Sequence, residues 1–224
     1  MRVPVEWDVL VVGAGPAGSR AAATAATEGA RTLLIDAKRN IGEQPHCGEY
    51  VTGSLFDDYR LDTSSIIQHV DTAELMIVDF GNAAAANGQS AVSPDSPDSK
   101  HVFYDGSDKP DTDRDILWRH QIAIAGRIID RARFDRDLAR HAASCQAMVL
   151  SLSRFVGFEG DYCIIRTRNE ELALKVRCVV AADGGRSAVA SSMGLEELAL
   201  GYGIQVETPL ARPEHKIRLF FCKD

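Results

Sequence analysis

The chain has 224 residues with 45% hydrophobic content, enough to bury a sizeable core and to make one large or two small globular domains. Its formal net charge of -7 disfavours a general nucleic-acid surface and broad attraction to anionic lipid. No apolar run approaches the length of a membrane span, and with the first strand-like run so early no cleaved leader is expected.

In chain order, the first element is a short β-branched run at 9–12, the pattern of a strand buried on both faces of a parallel sheet. Gly13-Ala14-Gly15-Pro16-Ala17-Gly18 follows at once. In such a turn the first glycine permits the tight bend, the second lets backbone approach a pyrophosphate, and the third lets helix and strand pack closely. Pro16 falls in the first helical turn, where its missing N–H costs nothing and the neighbouring amides face an anion. Small residues from Ala21 to Ala26 then suit a helix lying close on a sheet, and Gly29 suits its end. A second strand at 32–35 ends in Asp36, at the spacing where a carboxylate meets ribose hydroxyls. Ala37 and Lys38 come next, and Lys38 with Arg39 fits either a 2′-phosphate contact or plain solvated charge. Strand, glycines, helix, strand and acid in this order predict a dinucleotide site.

The segment 37–59 reads as a long loop broken by Gly42, Pro45 and Gly48, and long loops in compact domains are usually functional. It carries Cys47, Gly48 and Glu49. Strands are predicted at 72–80 and 101–104, with a hairpin tip or disordered insertion at 83–98 and an acidic loop at 105–115. A helix is predicted over 128–145, with Asp130 as cap and Phe134 and Leu138 on one face. The runs 147–152, 162–167 and 172–176 predict a small antiparallel meander, with turn signals at Gly157, at 159–161 and at 168–169. A further buried strand at 178–182 leads into Asp183-Gly184-Gly185-Arg186-Ser187. Two strand-like pieces, GYGIQVETPL and HKIRLFF, complete the chain. A carboxylate and glycine amides at the carboxyl end of a parallel strand sit where open α/β sheets bind ligands. A chain gripping only NAD needs no second such turn, whereas FAD is held at both ends.

Five cysteines, odd in number and without CxxC spacing, argue against a disulfide framework or a zinc site and suit a reducing cytoplasm. Cys145, Cys163, Cys178 and Cys222 fall in apolar stretches and are expected in the core, leaving Cys47 apart.

Three stretches together resemble the geranylgeranyl reductase family within the p-hydroxybenzoate hydroxylase-like FAD-dependent oxidoreductases. They are GEQPHCGEYV, the Arg-x-x-Phe-Asp-x-x-Leu run beginning at Arg131, and Ala-Asp-Gly at 182–184 followed three residues later by Ser187. The resemblance implies an α/β fold, a three-layer FAD/NAD(P)-binding Rossmann-like domain at 1–69 and 118–195, with 70–117 and 196–224 as parts of an incomplete β-rich substrate domain. It implies FAD held by Gly13, Gly15, Pro16, Ala17, Gly18, Asp36, Ala37, Lys38, Arg131, Met148, Asp183, Gly184 and Ser187. Met148 is expected to flank the adenine, Asp183 to reach the ribityl or phosphate side, and Cys47-Gly48-Glu49 to approach the flavin ring, with Cys47 as the catalytic candidate. The implied activity is reduction of carbon-carbon double bonds in a polyprenyl chain, with a lipophilic small-molecule substrate, NAD(P)H or another electron donor, and room for peripheral membrane contact. An aromatic monooxygenase, or a flavin-binding fragment inactive alone, are the competing readings. The likeness covers only the front half of a family member, and the family's third FAD motif has no counterpart here.

Overall fold

The structure is a computed structural model that describes residues 5–43, 47–78, 116–195, 199, 203–206 and 214–222. The expected strand at 101–104, the insertion at 83–98 and the acidic loop at 105–115 lie outside these residues. The chain divides into two compact units. One comprises Met1–Val51, Leu55–Ile67 and Ile128–Pro209; the other comprises Thr52–Ser54, Gln68–Arg127 and Leu210–Asp224.

The first unit has the α/β build that its alternating apolar runs predict. Strands β1 (Val5–Val12), β2 (Thr32–Ile35), β6 (Met148–Leu150), β7 (Arg154–Glu159), β8 (Tyr162–Arg166) and β9 (Glu171–Ala181) form one sheet in the order β6-β2-β1-β9-β8-β7. β6, β2, β1 and β9 are parallel, and β7 and β8 extend the sheet antiparallel. Both faces of the central strands are buried, so their side chains alternate between two cores. Leu10, Val12, Leu33 and Ile35 pack with Phe155, Ile165, Leu174 and Val189 on one face. Val11 and Leu34 pack on the other with Ala22 and Ala23 of α1 (Pro16–Thr27) and with Ala142. Gly29 ends α1 as its sequence predicts, at φ +85° with Ala30 N donating to Ala25 O. Asp130 caps α3 (Arg131–Ser144), its carboxylate accepting from Arg133 N at 2.9 Å.

A smaller core forms around Phe56, Ile129, Phe134 and Leu138. It uses a stretch that the sequence reads as plain loop: β3 (Tyr50–Thr52) and a short helix α2 (Ser54–Tyr59) lie inside 37–59. Apolar Leu55, Phe56 and Leu61 give that loop a buried face despite its glycines.

The second sheet has the order β10-β4-β5-β3, with β4 at Ile66–Val78, β5 at Ile116–Ile129 and β10 at Lys216–Cys222. In the second unit, the buried Glu74 of β4 accepts from Gln121 Nε2 at 3.0 Å and from Arg218 Nε at 2.9 Å, with Arg119 and Lys216 close by. These partners, Gln121 foremost and against the opposing effect of desolvation, hold its carboxyl below the ordinary value of 4.5.

Several expectations are corrected. The runs 172–176 and 178–182 are one strand, β9, because Arg177 merely points a charge to solvent, where it meets Asp8 at 3.1 Å. The run at 147–152 pairs with β2 as a parallel edge and takes no part in a meander. Gly157 sits within β7 at a register shift, as a bulge in place of a turn. Residues 203–206, part of an expected strand, take no regular structure. Among the cysteines, Cys163 is buried, and that burial pushes its thiol up; Cys145 is half-buried and Cys178 is exposed. The side chain of Cys222 lies outside the described set.

Two measurements follow from this packing. A Cβ at position 18 would lie 1.8 Å from Gly13 O, so Gly18→Ala is expected to lower unfolding free energy by about 3 kcal/mol or more in urea titration. For Glu74 the folded-state value is depressed, so its contribution is present above the ordinary carboxylate range and disappears as pH falls through the folded value. Glu74→Gln is therefore expected to be less stable than wild type at neutral pH and to lose less on acidification, read from urea midpoints across the acid range.

Candidate functional site

All four parallel strands run to one edge of the first sheet, and a cleft of about 440 Å³ opens there. Ligands of open α/β sheets bind outside the carboxyl ends of the strands. β1 supplies the centre. After Val12 the chain turns at Gly13 with φ +100°, its N–H donating to Ile35 O at 2.8 Å while Ala182 N donates to Val12 O at 2.8 Å. A side chain at Gly13 would strike Ala182 O at 2.3 Å, so the bend and the tight neighbour both demand glycine there.

Gly15 differs. A Cβ at that position meets nothing within 4 Å, and the residue lines the cleft. It is the N-cap of α1, has no side-chain cap and is followed by Pro16, with no acid in the first turn. The helix's first amides thus have no protein acceptor at their cap and carry the positive end of the helix dipole, an arrangement suited to a phosphate.

Asp36, at the tip of β2, clamps this turn. Its Oδ2 accepts from Ala14 N at 2.9 Å and its Oδ1 from Lys38 N at 2.8 Å. A carboxylate has about four lone-pair sites, so two remain for hydroxyls. The Lys38 ammonium donates to Glu43 O at 2.8 Å, which ties the long side chain to its own loop.

The chain leaving β6 wraps the Asp36 tip: Asp36 N donates to Leu150 O, Leu152 N to Lys38 O and Ser153 N to Asp36 O. Ser153, Arg154 and Phe155 join the cleft wall in consequence. Sequence reading names none of these three and expects Met148 to flank the adenine. Met148 begins β6, opposite Leu33, about 7 Å back along the strand from its ligand-facing end, and it does not line the cleft. The signal available was topological, since any strand added parallel to β2 presents the residues that follow it.

At the end of β9, Asp183 Oδ1 accepts from Ser187 Oγ at 2.6 Å and Oδ2 from Ala188 N at 2.7 Å. Ser187 Oγ in turn accepts from Ala190 N at 3.0 Å. Both side chains therefore build the start of a short helix, α4 (Ala188–Ser192), and it is Asp183, Gly184, Arg186 and Ala188 that face the cleft while Ser187 stands behind.

Arg131, the first residue of α3, reaches the cleft and meets Asp135 through two hydrogen bonds of 3.1 Å, from Nε and from Nη2. Burial lowers the guanidinium's proton affinity, but Asp135 and then the Cys47 sulfur outweigh it and raise it overall. Arg131 also lines an adjoining apolar groove of about 370 Å³ together with Pro16. Cys47 Sγ accepts from Glu49 N at 3.4 Å, and Cys47 N donates to Gln205 Oε1 at 3.2 Å. Cys47, Gly48 and Glu49 stand outside the 440 Å³ cleft, with Cys47 linked to it through Arg131. Ala17 and Gly18 lie within α1 behind the turn.

The cleft wall carries four basic side chains, Lys38, Arg131, Arg154 and Arg186, in a chain of net charge -7. Its three acids, Asp36, Asp135 and Asp183, each accept hydrogen bonds from protein donors. The balance favours an extended anion. Among the described residues no cluster of His, Cys, Asp and Glu could hold a metal ion.

An open backbone cradle, a ribose-height acid and a second Asp-Gly turn on one parallel edge are the build of a dinucleotide-binding oxidoreductase domain. The chain belongs to the FAD binding domain family, whose model matches residues 6–208, and its cofactor is FAD. It is 32% identical over 196 residues to digeranylgeranylglycerophospholipid reductase 1 of Methanothermobacter thermautotrophicus, covering 85% of this chain and 42% of that enzyme. It is 31% identical to an uncharacterized protein in the nifH2 5′ region of Methanosarcina barkeri, covering 84% of this chain and 88% of that one. A geranylgeranyl bacteriochlorophyll reductase-like protein of Thermoplasma acidophilum superposes with a TM-score of 0.64 at 27% identity, over 89% of this chain and 44% of that structure. The flavin-dependent monooxygenase PieE shares the fold, with a TM-score of 0.57 at 17% identity over 86% of this chain and 33% of its own. The chain thus spans about two-fifths of the reductases that it matches.

Because position 15 is open, Gly15→Val is expected to fold normally by circular dichroism yet purify without flavin, its side chain filling the phosphate cradle.

Proposed function

We propose that this chain is the cofactor-binding part of an FAD-dependent reductase acting on carbon-carbon double bonds of a polyprenyl lipid. The supporting observation is the 28 to 32% identity to digeranylgeranylglycerophospholipid reductases across about 85% of the chain. Halogenases and monooxygenases with the same fold share 14 to 21%. Fold alone does not fix chemistry, so the sequence likeness carries the choice.

In this reading FAD, when bound in its reduced form, would supply the hydride for one alkene carbon and leave as oxidised FAD, with a proton completing the other carbon. The protein binds and orients. The turn Gly13 to Gly18 cradles the pyrophosphate with the amides at the start of α1. Asp36, backed by Ala37 and Lys38, takes the ribose hydroxyls, and Ser153 with Arg154 shapes the adenosine end. Asp183 holds the turn that offers Gly184 to the ribityl and phosphate side. Arg131 lies against the cofactor, and Cys47-Gly48-Glu49 approaches the flavin ring, where Cys47 shapes the pocket or delivers the proton. Turnover needs NAD(P)H or another donor to restore reduced flavin, and the lipid substrate brings the protein to a membrane surface from the cytoplasm. Among the described residues no helix is long and apolar enough to cross a membrane.

The test begins with the absorbance spectrum and extracted nucleotide of the purified protein, for which FAD is expected. Under nitrogen, the reduced holoprotein is then mixed with a geranylgeranyl-bearing glycerophospholipid. Flavin reoxidation coupled to a gain of two hydrogens per reduced bond supports the reading, and Cys47→Ala should slow that step while leaving FAD content near wild type. Reoxidation that requires oxygen and hydroxylates an aromatic acceptor would assign a monooxygenase instead.

A further inference from the structure

Three basic side chains of α3, Arg131, Arg133 and Arg140, lie near acids of the same helix, yet one pair is unlike the rest. Arg133 and Arg140 reach Asp137 with their own side chains 51% and 70% exposed, as ordinary surface pairs do. Arg131 and Asp135 are 19% and 8% exposed, joined by two parallel hydrogen bonds, and both line the cofactor cleft.

Helix stability does not account for this pair. Arg131 occupies the first position of α3, where the macrodipole disfavours a cation, and arginine preceding its acid by four residues is the weaker sense of such a pair. Burial does not account for it either, because taking both charges from water costs more than apolar residues of the same volume would. What the geometry does achieve is direction. Asp135 engages Nε and one Nη2 hydrogen, which leaves three of the five guanidinium donors for the cleft and the Cys47 side.

We infer that Asp135 is a positioning residue for the flavin: it fixes Arg131 at the cleft wall and offsets its charge, so that the cofactor meets oriented donors and not a free cation. The consequence is electrostatic. With Asp135 intact the pair is neutral and disfavours neither redox state of the flavin strongly. Without its charge, Arg131 is an unbalanced and largely buried cation at the cleft wall, and it favours the more negative, reduced state. The inference depends on FAD being the cofactor and holds whichever substrate is reduced.

The experiment uses purified holoprotein and two variants, Asp135→Asn and Asp135→Glu, with FAD affinity and the flavin midpoint potential as readouts. In Asp135→Asn, FAD is expected to stay bound and the ratio of reduced to oxidised flavin at fixed poise to rise about tenfold, a positive shift of about 30 mV for the two-electron couple. Asp135→Glu, which restores the charge, should return the potential toward wild type. An unchanged potential in a folded, flavin-loaded Asp135→Asn overturns the inference. Should that variant fail to fold, Arg131→Met/Asp135→Leu replaces the pair by apolar residues of similar volume. That double variant is expected to be folded by circular dichroism with FAD affinity lowered about tenfold. Wild-type affinity in it would mean that the pair only packs the helix, and would equally overturn the proposal.

Discussion

Everything at the carboxyl edge of the first sheet depends on how closely three backbone segments meet behind the glycine turn. Gly13 O occupies the place where a Cβ on residue 18 would be, and Ala182 O the place where a Cβ on residue 13 would be. With no side chains between them, the first turn of α1, the end of β1 and the exit of β9 touch directly. That contact sets the height of the first helical amides over the sheet, and so fixes where a phosphate can sit relative to Asp36 on one side and Asp183 on the other. Wider spacing would separate these groups and dissolve the cradle.

Around that contact the charges are organised in a second tier. Each acid of the cleft is engaged with a structural donor: Asp36 with the glycine turn, Asp183 with the start of α4, Asp135 with Arg131. A carboxylate so engaged holds the fold in the geometry that the ligand needs, and its donors offset part of its charge, most fully for Asp135, which faces a guanidinium. This is how a protein with a net charge of -7 can present a basic cleft. The same hydrogen bonds orient the loops, so electrostatics and shape are not separable here.

Much of the first sheet was legible in the residues because its strands are buried on both faces and its turns have one physical solution. The run 9–12, the glycines, Asp36 and the Asp183-Gly184 turn each lie where their sequence pattern predicts. β5 was missed for the opposite reason. Its residues 117–123 are all exposed, and Arg119, His120 and Gln121 interrupt any alternation, so no periodic signal marks its 14 residues. Ser153 and Arg154 go unmarked in the sequence because it shows that a strand exists but not which end of it faces the cleft; that end is decided by the parallel pairing with β2. Cys178 looks like core by its apolar neighbours, yet it is exposed on β9. The device linking Arg131 to Asp135 was visible as a spacing of four, but its burial comes only from the tertiary setting of α3.

The pairing of β1 with β9 also constrains how the molecule comes into being. Val12 finds its partner Ala181 only after the intervening residues 13–180 have been made. During synthesis β1 and β2 can pair early, but the other edge of β1 stays open while well over a hundred residues emerge. Such an edge is a template for pairing with another nascent copy. Long-range closure of this kind is also slow, because the loop must be paid for in entropy before the strand contacts repay it. A ribosome that stalls before Ala181 therefore releases a species in which β1 lacks one of its two neighbours and offers that edge to another copy.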